Sequence, residues 1–264
     1  MEFESQPLSI DPDKVASRLH PNNARDTYLL FLSLWIPPGE THLIATLKEI
    51  LRIDGGSDKA KAIAKALISQ EGRHTKAHKE FNDAFEKKTG QDLSFYKKMI
   101  GLGLKYIPFR KDKTKNIAMV ILSEVIGNKI GKLLLESPLF DDIHGEAARL
   151  FHWHFSEEVL HADDFMSFLS ATNYQLNSLT KIHACLKLLI LLAAMSLLAL
   201  IYARRNSYLS VGFFVDIFHF MFVKEKMFFI VCYSIFTFLT NRSIDTPKNL
   251  TKHCMSYLDN MPTS

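Results

Sequence analysis

The sequence predicts an all-α fold, a four-helix bundle followed by further apolar helices. Three observations predict it. Apolar residues recur at spacings of three and four through most of the chain, alternating runs bounded by paired turns are missing, and breaker residues cut the chain into helix-length pieces. At 264 residues, with 47% hydrophobic and 23% charged side chains, the chain can build one large core with an appended segment, and its apolar content gathers in the C-terminal third.

Taken in order, helices are expected over 24–35, 38–53, 58–88, 93–105, 115–136, 140–170 and 179–203, with more helix after 210. Pro37-Pro38-Gly39 should end one helix and open the next, because proline is tolerated in a first turn where its missing N–H had no partner. Gly55-Gly56 should make the next break, with Ser57 or Asp58 capping the long helix that follows. Lys111 to Lys115 reads as a charged connection. Ser137-Pro138 should stop the helix before it, and Asp141 or Asp142 should start the next. The resulting division is an N-terminal extension (1–23), a helical bundle of two similar hairpins (24–180) and an apolar segment (181–264).

The formal net charge is +4, and lysines are mixed with acids through residues 44–132 rather than gathered in a stripe, so no nucleic-acid footprint is expected. Cys185, Cys232 and Cys254 are far apart and lack CxxC spacing, which fits a reducing compartment and offers no thiolate metal site. The first 26 residues have no basic stretch followed by an apolar run, so no secretory signal is expected and the bundle should remain cytoplasmic.

Two Glu-x-x-His pairs, Glu71 with His74 and Glu158 with His161, each place a carboxylate and an imidazole on one helix face about one turn apart. With 13 Glu and 11 His, chance supplies roughly half of one such pair, so order has to carry the argument. Glu40 precedes the first pair and Glu124 the second at matching separations, which is the pattern a binuclear site in a four-helix bundle requires. Glu124 stands in the run Ile117-Ala-Met-Val-Ile-Leu-Ser-Glu-Val-Ile, where burying an unpaired carboxylate would cost several kcal/mol and a cation would remove that cost. For Glu40 a second reading stays open, since a glutamate in a first helical turn is also what the helix dipole prefers. His154, four residues before Glu158, is an added candidate ligand, with an aromatic core patch as its alternative. His78, one turn after His74, is expected to orient a ligand by a hydrogen bond. Glu157, Asp163 and Asp164 are supporting or surface residues between which spacing does not choose.

The residues Pro38-Gly-Glu40, Gln70-Glu71-Gly-Arg-His74-Thr-Lys-Ala-His78, Ser123-Glu124 and Trp153-His154-Phe-Ser-Glu-Glu158-Val-Leu-His161 resemble the ferritin-like di-iron carboxylate superfamily. Within it they resemble the bacterial predicted metal-dependent hydrolases, over about residues 25–205. The Pro-Gly-Phe-His-Pro-like segment with which that family tends to close is absent after Thr240. The pattern His154-x-x-x-Glu158-x-x-His161 is similar to the second metal helix of the di-iron arylamine N-oxygenases. This resemblance implies two metal ions, Fe/Fe or Mn/Fe, and an oxidase or oxygenase using O2 on a small organic substrate such as an amine or lipid. Hydrolysis by a binuclear site and iron storage by a helical bundle are the alternatives, and a homodimer is compatible with either.

Leu186 to Ala203 holds one charge, Lys187, and reaches the lower limit for crossing a bilayer. Phe213 to Phe222 and Met227 to Thr240 are shorter apolar runs. Attachment to the inner membrane through these helices is one expectation, and helices that cover the bundle and wall a cavity are the other.

Overall fold

The computed structural model describes residues 7–54, 57–106, 113–136, 142–172, 176–240 and 248–261; some side chains within these ranges, His161 among them, lie outside the description. Among the described residues there are helices and no strands: α1 (Asn23–Asp54), α2 (Asp58–Thr89), α3 (Ser94–Tyr106), α4 (Lys113–Glu136), α5 (Gly145–Ser170), α6 (Ser178–Arg205), α7 (Val211–Phe218), α8 (Met227–Thr240) and α9 (Lys248–Asp259). A π-helical turn, His219–Val223, extends α7. The expected all-α bundle is what the chain forms.

Helices α1 and α2 form one hairpin, α4 and α5 the other, and the two face each other through α2 with α5 and α1 with α4. Residues before α1 pack on this bundle, with Leu8, Val15 and Leu19 buried. Asp26 holds them there by accepting the Leu19 N–H at 2.7 Å and the His20 N–H at 3.2 Å. Ser57 caps α2, its Oγ accepting the Ala60 N–H at 3.1 Å, and Gly90 ends it at φ +67°. Helices α6 and α8 pack on α4, and α9 packs on α5.

Two expected breaks are corrected. Pro37-Pro38-Gly39 does not divide a helix: α1 runs unbroken from Asn23 to Asp54. Pro37 cannot donate to the Ser33 carbonyl one turn back, and that carbonyl instead accepts from Asn82 Nδ2 of α2 at 3.0 Å. Asn82 is almost fully buried, and its Oδ1 accepts from Ser33 Oγ at 2.8 Å, so one side chain from a neighbouring helix repairs the missing rung. The second correction concerns α5, which starts at Gly145 rather than at Asp141 or Asp142; Asp141 and Ser137-Pro138 lie outside the described residues, and Asp142 sits in a turn. His144 donates its N–H to the Leu19 carbonyl at 2.9 Å, and Gly145 then takes φ +54° with a Cβ position only 2.5 Å from the Lys14 carbonyl oxygen. The close approach of the N-terminal segment, not a local cap, sets where α5 begins. Lys113 to Lys115, expected in a connection, form the first turn of α4, and Lys111 is outside the described residues.

The repair of α1 yields a thermodynamic cycle. Asn82→Ala is expected to lower stability by about 1–3 kcal/mol in urea unfolding, because it strands a buried carbonyl and a buried hydroxyl. In a Pro37→Ala background the loss should shrink, since the backbone N–H that alanine restores at that position can serve the Ser33 carbonyl. Equal losses in both backgrounds would show that Asn82 does not compensate for the proline.

Candidate metal centre

The interior of the bundle collects one acid or more from each of its four helices. Glu40 stands in the middle of α1, since the helix is continuous there, and the dipole of a first turn therefore does not account for it. Glu71 and His74 of α2 are fully buried. Glu124 of α4 and Glu158 of α5 meet where α4 can approach closely: a Cβ at Gly127 would stand 3.3 Å from Glu158 Oε2, and one at Gly131 would stand 3.2 Å from the Phe155 ring. Asn128 of α4 ties the same crossing, its Nδ2 reaching the Glu158 carbonyl at 3.3 Å.

Two sets of potential ligand atoms result, and within each set all atoms lie within 4.8 Å of one another. One is Glu40, His74, His154 and Glu158; the other is Glu71, Glu124 and Glu158. Glu158 belongs to both, which places it between two positions. Of the seven ligands expected from sequence, the structure thus brings six together. The seventh, His161, follows Glu158 by three residues on α5, but its side chain lies outside the described residues. His78 belongs to neither set.

His74 is held at both nitrogens. Its Nδ1 lies 3.0 Å from Glu71 Oε2 and 3.6 Å from Glu158 Oε1, whereas Nε2 lies 2.6 Å from Glu157 Oε2. Nε2–H therefore donates to Glu157, and Nδ1 is directed toward the acids of the two sets. Glu157, buried and 3.6 Å from the Arg73 guanidinium, is a residue that sequence spacing did not single out. His154 Nε2 stands 3.7 Å from Glu158 Oε1, and its ring centroid is 4.1 Å from that of His74.

His78 is fixed by the same Ser33–Asn82 pair that repairs α1. Asn82 Nδ2 is spent on the Ser33 carbonyl, so Asn82 Oδ1 takes the Ser33 hydroxyl proton, and Ser33 Oγ is left to accept from His78 Nδ1–H at 2.9 Å. That tautomer leaves the Nε2 lone pair in the interior with no donor among the described residues. The expected hydrogen bond from His78 to a ligand is not what positions it; its ring instead packs edge-on against His154, with centroids 5.1 Å apart.

Burial, then the neighbouring Glu71, Glu158 and Glu124, push Glu40 well above the usual carboxylate range. Burial followed by Glu158 and Glu71 does the same to Glu124, and burial followed by Glu71 pushes Glu158 up to about 8. Burial alone would depress His74, but Glu71 and Glu157 overcome it and hold the imidazole well above its ordinary value. Such a cluster is compatible with ionised acids only if positive charge enters it. Oxygen-rich donors with imidazole and no thiolate fit divalent Mn, Fe or Zn.

The sharing of Glu158 separates two variants. Glu158→Ala should abolish binding at both positions, whereas Glu124→Ala should bring metal content well below two per chain while leaving the His74–His154 position filled; elemental analysis of the purified proteins distinguishes them. Equal, full occupancy in Glu124→Ala would remove that residue from the centre. Glu157→Ala should weaken metal affinity about 10–100-fold, and Glu157→Gln less, because an amide oxygen still accepts from His74 Nε2–H. Competition titration against a chelator reads both, and an unchanged affinity in Glu157→Ala would show that His74 needs no such support.

Searches among curated proteins and among solved structures gave no match. A family model matches residues 8–242, which spans the N-terminal segment, both hairpins and the helices α6 to α8. The match therefore includes every element that builds the centre, and the chain belongs to the family of predicted metal-dependent hydrolases.

Proposed function

We propose that the protein is a metal-dependent hydrolase whose centre holds two divalent cations between α1, α2, α4 and α5. The observation that carries this reading is the pair of donor sets joined by Glu158 in a chain of that family. Two cations held by these residues would supply Lewis acidity toward a substrate oxygen and a water molecule.

The chain's own residues set the conditions for that chemistry. Glu157 holds the His74 ring through Nε2–H, and Ser33 fixes the His78 tautomer, so neither imidazole has to reorient during reaction. Trp153, Phe151 and Phe155 are buried beside the histidines and exclude bulk water from that side. Glu40 and Glu124 are half-buried, whereas Glu71 and His74 are fully buried. In the hydrolytic step the oxygen of water bonds to the electrophilic atom, the scissile bond breaks, and the leaving group takes up a proton.

A second reading is favoured by one observation, the presence of His154 beside His74 in the first donor set. An additional imidazole in a carboxylate-rich helical bundle suits an iron or mixed manganese–iron centre that uses O2 to oxidise an organic substrate, an amine or a lipid, as in the ferritin-like proteins.

Metal-free protein loaded without oxygen with Zn2+, Mn2+ or Fe2+ should cleave members of a panel of chromogenic esters, amides and phosphoesters, with no oxygen consumed. Oxygen uptake by the Fe2+ form, with oxidation of an added organic substrate and no hydrolysis by any form, would transfer the assignment to the second reading. Uptake of iron far beyond two ions per chain would instead mark a storage protein.

A further inference from the structure

Helices α6, α7 and α8 present an outer face that no described residue covers. Of the twenty exposed large hydrophobic side chains among the described residues, eighteen fall between Leu179 and Leu239. On α6 they recur at helical spacing, as Leu179, Ile182, Leu186, Ile190 and Leu197, while Ala184, Leu188, Leu191, Leu198 and Tyr202 of the same helix are buried. The α7 and α8 contribution is largely aromatic, with Phe214, Phe218, Phe222, Phe228, Phe229 and Phe236 exposed. Exposed apolar side chains gathered on neighbouring helices and rimmed by charge are the mark of an interaction or membrane surface.

Charge on this face is one-sided. Between Ile182 and Thr240 the only acids are Asp216 and Glu225, and both are turned into bonds with the start of α1: Asn22 Nδ2 donates to Asp216 Oδ2 at 2.7 Å, and Arg25 donates to Glu225 Oε1 at 2.5 Å. The bases of the same stretch, Lys187, Arg204, Arg205, Lys224 and Lys226, stand at the ends of the apolar runs, with Arg204, Lys224 and Lys226 exposed. Long basic side chains at the rim of an apolar face suit anionic headgroups, toward which they can extend while the face is buried.

We propose that this face is a membrane-docking surface, and that the protein lies in the plane of an anionic bilayer with α6, α7 and α8 seated in one leaflet. Length and composition alone would let α6, with 28 residues, cross a bilayer. Its neighbours forbid that orientation. Tyr202, near the end of α6, bonds Gln91 just beyond the end of α2 at 2.7 Å, and Ser57 at the start of α2 bonds the Ala171 carbonyl shortly before α6 at 3.3 Å. The two helices therefore run in the same direction over much the same length, with α1 packed against both. A crossing α6 would hold the exposed Lys61, Lys65, Lys76 and Lys79 of α2 at hydrocarbon depth, at a cost of several kcal/mol. With the axes in the membrane plane, the apolar face enters the leaflet and the α2 lysines stay in water. Helices α7 and α8, with 8 and 14 residues, are also short of the roughly twenty needed to span and are suited to lying flat. The inference does not depend on the reaction assigned to the metal centre.

Cys232 on α8 is exposed while Cys185 and Cys254 are buried, so a thiol-directed environment-sensitive dye reports this face without mutation. The full chain, freed of detergent in the presence of vesicles, should float with phosphatidylcholine vesicles containing phosphatidylglycerol and more weakly with phosphatidylcholine alone. The dye should shift to the blue and be quenched more by lipids labelled near the headgroup than by lipids labelled at the bilayer centre. Phe218→Lys with Phe229→Lys should lower vesicle partitioning about tenfold or more, with helical content retained. Lys224→Glu with Lys226→Glu should erase the preference for phosphatidylglycerol. Failure to float, or a dye that stays in water on the vesicle, would overturn the proposal. Quenching greatest at the bilayer centre would mean that α6 crosses after all. A lipid-free oligomer in which Cys232 is shielded from the reagent would assign the face to a second copy of the chain.

Discussion

Mutual repulsion among Glu40, Glu71, Glu124 and Glu158 is the constraint on which the bundle depends. Two unit charges about 4 Å apart interact by roughly 4 kcal/mol even at an effective dielectric of 20, and here four acids from four helices share one interior. The helices can close only if protons or cations enter with them. Two divalent ions would balance these four acids, while Glu157, the further acid beside them, already has the Arg73 guanidinium 3.6 Å away. Charge neutrality thus separates the acids into two kinds: four that face one another in the donor sets, and one that bonds a histidine.

The same neutrality explains why the centre was largely legible in the sequence. A buried carboxylate is costly enough that its position in an apolar run, as for Glu124, carries information by itself, and Glu-x-x-His places two donors on one face by helix geometry alone. Glu157, Ser33 and Asn82 were not legible for the opposite reason. Each acts through a contact between helices, from Glu157 to His74 and from Asn82 to Ser33, and spacing within one helix does not encode which neighbour lies across the gap. The unbroken α1 is a case of the same kind. Local propensity assigns a break to Pro37-Pro38-Gly39, and a buried asparagine from α2 overrides it by supplying the donor that proline lacks. The start of α5 was missed because it is set by Lys14 and Leu19, distant in sequence, rather than by the residues beside it.

Ser33 and Asn82 link backbone repair to the site. If Asn82 were turned over, Ser33 Oγ would lose its acceptor, and His78 would no longer be constrained to donate from Nδ1. The proline pair and the histidine tautomer are therefore one arrangement rather than two. This gives Pro37-Pro38 a role that neither helix propensity nor the ligand pattern suggests: it frees a carbonyl that recruits the amide which orients the imidazole.

Helix α4 joins the centre to the apolar layer. One side of it carries Glu124 toward α5 and α1, another packs on α6 and α8, and Ile117 through Leu122 are all buried. A stretch enclosed in this way needs no polar face, which is why Ile117 to Leu122 are apolar without a break. The C-terminal helices are then part of the wall behind the centre: they keep α4 dry, and through Gly127 and Gly131 α4 can press close enough to α5 for Glu124 to reach Glu158. What remains exposed on α6 and α8 is their far side, and its apolar character cannot serve the core, because α4 is already covered. The docking surface proposed above gives that character its account.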